Sequence, residues 1–211
     1  LSLLTYQSDK RVEIGTFVEV SLRRALKEAV IIKEVEKPDF KSITISKITP
    51  RTLSKQYIKI AEFIAYYYFC TIGEVLALFH PIKADNTLKT SDFTTQIVLS
   101  SQQQEALDFA KERGISLLFG DTGSGKTEIY MKWFEELIKE GKSALFLMPE
   151  ISLTPQIEKR LKEHFGDLVA IWHSKITKKS KEKILLGLAS GEIKIVAGAR
   201  SSLFLTLPNL G

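Results

Sequence analysis

Apolar residues along this 211-residue chain change their spacing more than once. Over roughly residues 1–50 they come in short runs rich in β-branched side chains: Phe17, Val18 and Val20 after Gly15, then Val30-Ile31-Ile32, then Ile43-Thr44-Ile45. This alternation predicts a small β-rich module of about four strands. From Ser54 the spacing turns helical, with Tyr57, Ile60, Ala61, Ile64 and Tyr67 or Tyr68 on one face. Thr71 and Glu74 stand at capping-box spacing and open a short helix through Leu76 and Leu78, which Pro81 stops. Residues 82–98 are polar without clear period and read as a linker. From Leu99 onward a helix is followed by alternating strands and helices. The predicted strands are Ser116–Phe119, Ala144–Met148, Leu168–Trp172 and Ile193–Ala197. The predicted helices are Ser101–Glu112, Lys126–Glu140, Thr154–Phe165 and Lys178–Ser190, each followed within a few residues by a glycine (Gly114, Gly141, Gly166, Gly191) suited to a left-handed cap. Strands interleaved with helices predict a parallel sheet covered on both faces, an α/β fold.

Composition narrows the class. Hydrophobic residues make up 44% and charged residues 26% of the chain, as in ordinary globular proteins. No stretch approaches the roughly 20 apolar residues of a membrane span, so no membrane role is expected. The single cysteine, Cys70, follows the apolar run Phe63–Phe69 and is expected to be buried; one cysteine makes neither a disulfide nor a zinc cluster. These features fit a reducing cytoplasm. Of the net charge of +5, residues 1–90 carry +4 (14 Lys and Arg against 10 Asp and Glu). The excess therefore sits where an anionic partner such as nucleic acid would bind.

The clearest chemistry lies in Gly120-Asp121-Thr122-Gly123-Ser124-Gly125-Lys126-Thr127, which matches G-x-x-x-x-G-K-[ST] at every position. It falls between an apolar predicted strand and an amphipathic helix, where a phosphate loop belongs. Its glycines allow backbone N–H groups to turn onto phosphate oxygens, and the helix N-terminus adds its positive end. Lys126 is expected to reach the β- and γ-phosphates of ATP, and Thr127 to hold Mg²⁺ through its hydroxyl. The expected nucleotide site comprises Gly120, Thr122, Gly123, Ser124, Gly125, Lys126, Thr127 and Glu128, with Lys126 and Thr127 catalytic.

Further strings surround the loop: Leu99-Ser100-Ser101-Gln102-Gln103-Gln104 before it, then Pro149-Glu150-Ile151-Ser152-Leu153-Thr154-Pro155-Gln156, Trp172-His173-Ser174 and Gly198-Ala199-Arg200-Ser201-Ser202-Leu203-Phe204. In this order they resemble the first motor lobe of the superfamily 2 replication-restart DNA helicases, the PriA family. The resemblance is strong over about residues 99–211. It is looser over residues 1–82, where Tyr66-Tyr67-Tyr68 and Ile72-Gly73-Glu74-Val75-Leu76 are similar to the family's amino-terminal DNA-binding region. It implies a RecA-like lobe over 99–211, a β-rich DNA-binding domain over 1–53, a helical segment over 54–82 and a linker over 83–98. It further implies that Gln103 reads the adenine edge and that Thr154, Arg200 and Ser201 face single-stranded DNA; His173 stands open between an ordinary loop residue and a DNA or coupling role. Tyr6, Arg23 and Lys41 fall at the family's pocket for a DNA 3′ end.

Measured against that family, the chain stops at Leu210-Gly211 just before the expected acidic Walker B motif, and is expected to be a fragment. The second lobe and the family's zinc-binding cysteines are expected in the part not present, and the linker is too short for the family's winged-helix domain. The pocket also departs from the family pattern. Leu4-Thr5-Tyr6 stands where an aromatic-Asp-Tyr string is usual, and Arg23 where a glycine is usual. The resemblance implies an ATP-dependent helicase that recognises stalled or branched forks, binds single-stranded DNA and works with other primosome and replication-restart proteins. Two alternatives stand beside it: a passive DNA- and nucleotide-binding module without turnover, or another P-loop NTPase or small-molecule kinase.

Overall fold

A computed structural model describes residues 3–82, 93–149 and 155–211. Contacts divide the chain into two compact units, Leu1–Lys83 with Phe204–Thr206, and Ala84–Leu203 with Leu207–Gly211.

The first unit is built on a three-stranded antiparallel sheet. Its centre is β2 (Thr16–Leu22), flanked by β3 (Ala25–Val30) and β5 (Lys47–Thr52). Phe17, Val18 and Val20 make β2 the buried strand, as the alternation predicts. Two short segments, β1 (Tyr6–Gln7) and β4 (Ile43–Thr44), pair in parallel, Tyr6 with Ile43 and Gln7 with Thr44. Helix α1 (Lys55–Tyr67) lays Ile58 and Ala61 on a core with Phe17, Leu53, Val75, Leu76 and Phe79. Phe79 also meets Phe204 edge-on at 5.3 Å. Helix α2 (Ile72–Leu76) starts at the expected capping box: Thr71 accepts from the Glu74 N–H, and the Glu74 carboxylate accepts from the Thr71 N–H at 2.8 Å. The Thr71 hydroxyl, which donates to the same carboxylate at 2.7 Å, and then the Thr71 N–H hold the Glu74 carboxyl below its usual pKa.

Two expectations about this unit fail together. The buried face of α1 runs through Ile58 and Ala61, so Ile60, Tyr67 and Tyr68 lie outside it and are exposed. Cys70 is exposed as well. The apolar run 63–69 outlasts the single face that a 13-residue helix can bury.

In the second unit, β6 (Ala144–Leu147), β8 (Ile195–Gly198) and β7 (Val169–Trp172) form a parallel sheet in the order β6-β8-β7. Ala144, Val169, Ile195 and Ala197 share a core with Met131, Phe134, Leu137 and Ile138 of α4 (Lys126–Lys139) and Leu161 and Phe165 of α5 (Pro155–Phe165). Side chains alternate across a strand, so Trp172 faces the other way, under the ammonium of Lys181 on α6 (Lys178–Ser190) at 5.6 Å from its ring. Helices thus lie on both faces. Helix α3 (Ser101–Lys111) ties to α4 through Lys111 and Glu136, 2.7 Å apart.

The segment read as linker contributes to this core: Phe93 stacks on Phe165 at 5.4 Å, and Ile97 packs beside it. Thr95 Oγ1 donates to the buried Glu135 carboxylate at 2.6 Å. The expected strand Ser116–Phe119 does not form. A strand needs a hydrogen-bonded neighbour, and among the described residues nothing pairs with it; Leu117 and Phe119 remain about nine-tenths exposed. Gly114 is also absent from the left-handed glycines, which include Gly141, Gly166 and Gly191. Among the described residues no helix is long and apolar enough to cross a membrane.

Candidate nucleotide and DNA sites

The turn before α4 is shaped by two left-handed residues, Gly123 at φ 86° and Gly125 at φ 82°. Gly125 is the N-cap of α4 and, lacking a side chain, leaves the first-turn N–H groups without a side-chain acceptor. Such a terminus is an anion site. Lys126 folds back over it, donating from Nζ to the carbonyl oxygens of Gly120 and Asp121, each at 2.7 Å. Ser124 Oγ is 3.5 Å from the same ammonium. Three neutral oxygens gather one cation that a phosphate would engage more strongly, because a charge-assisted bond outweighs a neutral one. Thr127, half-buried, begins the helix beside it. Uncapped amides, a positive helix end, a lysine and a threonine hydroxyl fit ATP with Mg²⁺; Thr127 would hold the ion, which supplies charge neutralisation between phosphates when bound. Thr122 is exposed on the loop.

Gln103 occupies both ends of a short relay. Its Oε1 accepts from the Ser100 N–H at 2.8 Å, completing a capping box on α3. Its Nε2 reaches the carbonyl oxygens of Ser124 at 3.4 Å and Gly125 at 3.5 Å. The residue expected at the adenine edge therefore also braces the phosphate loop. Glu128, placed by sequence in the nucleotide set, is ion-paired with Arg160 of α5. Arg160 drew no attention in the sequence because nothing there places its helix against α4.

The parallel register brings the remaining strings to one edge. Leu147, Trp172 and Gly198 stand side by side as the last residues of β6, β7 and β8. Met148 and Pro149, His173, and Ala199 and Arg200 consequently leave the sheet at its carboxyl edge, where open α/β folds place ligands. Arg200 opens a 3-10 turn, Arg200–Phe204, with its side chain exposed. That turn is anchored by Ser202, whose hydroxyl donates to the Trp172 carbonyl at 3.4 Å. Ser201 is half-buried, and its Oγ is buried without a hydrogen-bond partner among the described residues. The His173 Nδ1 accepts from the Lys175 N–H at 3.2 Å. Thr154 lies outside the described residues.

In the first unit the three expected pocket residues fall on neighbouring segments. Tyr6 pairs with Ile43, two residues beyond Lys41, and its hydroxyl donates to the Ser21 carbonyl at 3.1 Å, two residues before Arg23. Arg23 and Arg24 form the two-residue turn between β2 and β3, both left-handed at φ 50° and 66°. Asn-Gly is the usual occupant of such a turn; two arginines there put charge at the hairpin tip at a cost in strain. Beside β1 opens a cavity of about 1210 Å³ lined by Tyr6, Leu22, Lys27, Val30, Lys33 and Ser42, among others.

A glycine turn that carries a lysine into the N-terminus of α4, beside a three-stranded parallel sheet, is the arrangement of a phosphate-loop α/β fold. The family model for DEAD/DEAH box helicases matches residues 100–209, and this chain belongs to that family. The model of the 3′DNA-binding domain (3′BD) matches residues 2–81. The chain is 42% identical over 209 residues to Replication restart protein PriA of Helicobacter pylori, covering 99% of this chain and 34% of that protein. It is 33% identical over 213 residues to the protein of the same name from Rickettsia conorii, with 96% and 33% covered. With that of Bacillus subtilis it shares 44% identity over 108 residues, covering 51% of this chain and 13% of the relative. The chain spans about a third of the length of the first two relatives.

Proposed function

We propose that the whole protein is an ATP-dependent DNA helicase that recognises stalled or branched replication forks and restarts replication through primosome assembly in the cytoplasm. The observation that carries this reading is the joining, in one chain, of a 3′DNA-binding module to a lobe whose phosphate loop and carboxyl-edge strings form a motor half. ATP with Mg²⁺ binds at Gly120, Thr122, Gly123, Ser124, Gly125, Lys126, Thr127 and Glu128, and Gln103 holds the adenine edge and the loop together. Arg200, Ser201 and Thr154 hold single-stranded DNA at the carboxyl edge. Tyr6, Arg23 and Lys41 receive the 3′ end of a fork arm, and primosome and replication-restart proteins are the partners. Zinc belongs to further parts of the family's chain.

For the 211-residue chain alone, we propose binding of nucleotide and DNA without turnover. Catalysis of phosphoryl transfer needs charge preorganised on both sides of the γ-phosphate. The described residues supply the Lys126 and Thr127 side. Titration of this chain with forks carrying free or blocked 3′ ends, at several salt concentrations, tests the DNA reading. Affinity should fall steeply with salt, by a log–log slope of about 0.7 per phosphate contact on single strands. No binding at low salt would remove the DNA role of the first unit.

A further inference from the structure

Helix α1 presents an aromatic surface that neither the phosphate loop nor the 3′-end pocket uses. Phe63, Tyr66, Tyr67, Tyr68 and Phe69 are all more than half exposed, and Phe69 is 96% exposed. Single exposed aromatics are ordinary, whereas five within seven residues, three of them in ring contact, make an apolar patch that calls for a ligand. The Phe63 and Tyr67 rings stack at 5.8 Å, and Tyr68 meets Tyr67 edge-on at 5.0 Å, so the rings form one surface.

The backbone holds this end of the helix in a strained form. Cys70 N–H bonds the Ala65 carbonyl and Phe69 N–H bonds the Tyr66 carbonyl, which closes a Schellman motif. Its left-handed position, normally glycine, is Phe69 at φ 53°. An L-residue is strained there, and this one buries nothing in return.

What the surface fits follows from its charge. Lys55, Lys59, Phe63 and Tyr67 are spaced four apart, so they follow one gently drifting stripe about 18 Å long. Two exposed lysines lead to two stacked rings, while Glu62 is the helix's one acidic residue. A cationic stretch beside stacked, mostly phenolic rings is the makeup of a single-strand site, with phosphates on the ammonium groups and bases on the rings. Protein interfaces are rich in aromatic rings too but poor in lysine, so the two ammonium groups leading to the rings are what favour a phosphate chain over a protein partner. We propose that this stripe, with Tyr66 and Phe69 beside it, is a second single-stranded DNA site of the first unit, separate from the 3′-end pocket. The proposal rests on the reading of that unit as DNA-binding.

The test uses the 211-residue chain, and a labelled oligothymidylate whose 3′ end is blocked so that the pocket is silent. Wild type should bind it, and should bind an abasic oligomer of equal length about ten-fold more weakly. Phe63→Leu with Tyr67→Leu keeps apolar bulk but removes stacking, and should weaken oligothymidylate binding about ten-fold while leaving abasic binding unchanged. Phe69→Gly should raise the melting temperature and weaken oligothymidylate binding. Equal binding by wild type and variants would overturn the stripe while sparing the pocket. Loss of self-association in the variants with DNA affinity unchanged would assign the surface to a second copy of the chain and overturn the proposal. Absence of all DNA binding by wild type would overturn the DNA reading of the unit as well.

Discussion

The side-chain nitrogen of Gln103 stands 3.5 Å from the carbonyl oxygen of Gly125, the residue that caps the phosphate-loop helix. A Cβ added to Gly125 would overlap that nitrogen, and the backbone there is left-handed. Crowding and strain act on the same residue, and the two are separable. Gly125→Ala should weaken ATP–Mg²⁺ binding by more than about ten-fold, because the loop must rotate away from its phosphate-facing shape. Gln103→Ala by itself costs the adenine contact, so it serves as the reference in which the overlap is absent: there Gly125→Ala should weaken binding less than it does in the wild type, by the strain alone. Isothermal titration of wild type, both single variants and the double variant with ATP–Mg²⁺ separates the two; no loss on adding Gly125→Ala to Gln103→Ala would show that crowding alone mattered.

Glu135 contributes to the acid stability of the second unit. Its side chain is 1% exposed and accepts from Thr95, from Lys132 at 3.0 Å and from Lys139 at 2.7 Å. Burial pushes its pKa up, but the bonds from Lys139, Thr95 and Lys132 outweigh it and bring it from 4.5 down to about 2. A depressed carboxyl stabilises the fold fully above 4.5 and loses that contribution as pH falls towards 2. The contribution is about 3 kcal/mol. Urea unfolding should show this loss across that pH window, and Glu135→Gln should lower stability at pH 7 by about 2–3 kcal/mol and flatten the acid limb.

The hairpin tip trades stability for charge. Arg23→Asn with Arg24→Gly supplies the residues the turn favours, and should raise stability by about 1–2 kcal/mol. The same change removes two cations, so the salt slope of single-strand binding should drop by about 1.4. Thermal melts and salt titrations read the two effects independently. Higher stability with an unchanged slope would take Arg23 away from the DNA.

Much of this architecture was legible in the chain because periodicity reports local burial. Helix α6 spans Lys178–Ser190 as predicted, and β6, β7 and β8 fall within a residue or two of expectation. The Thr71 and Ser100 caps depend on neighbours three residues away and are equally readable, although at Ser100 the partner is the glutamine expected at the nucleotide. Failures came where a distant partner decides. The run 116–119 has the composition of a strand, but composition does not supply a neighbouring strand. Tyr67, Tyr68 and Cys70 look like core by hydropathy, yet α1 has only one face to bury. The Glu135–Thr95 pair joins residues 40 apart, and the Arg160–Glu128 pair residues 32 apart, so no spacing rule marks them.

On the proposed reading Lys126 serves nucleotide chemistry and not the DNA. Lys126→Ala in the full-length protein separates the two roles, with DNA-stimulated ATP hydrolysis, fork unwinding and fork affinity measured side by side. Its ammonium lies over the α4 N-terminus on the Gly120 and Asp121 carbonyls, ready for phosphate. The predicted result is loss of hydrolysis and unwinding by at least about a hundred-fold, with fork affinity unchanged within about two-fold. Equal loss of fork affinity, or hydrolysis that survives the substitution, would contradict the account.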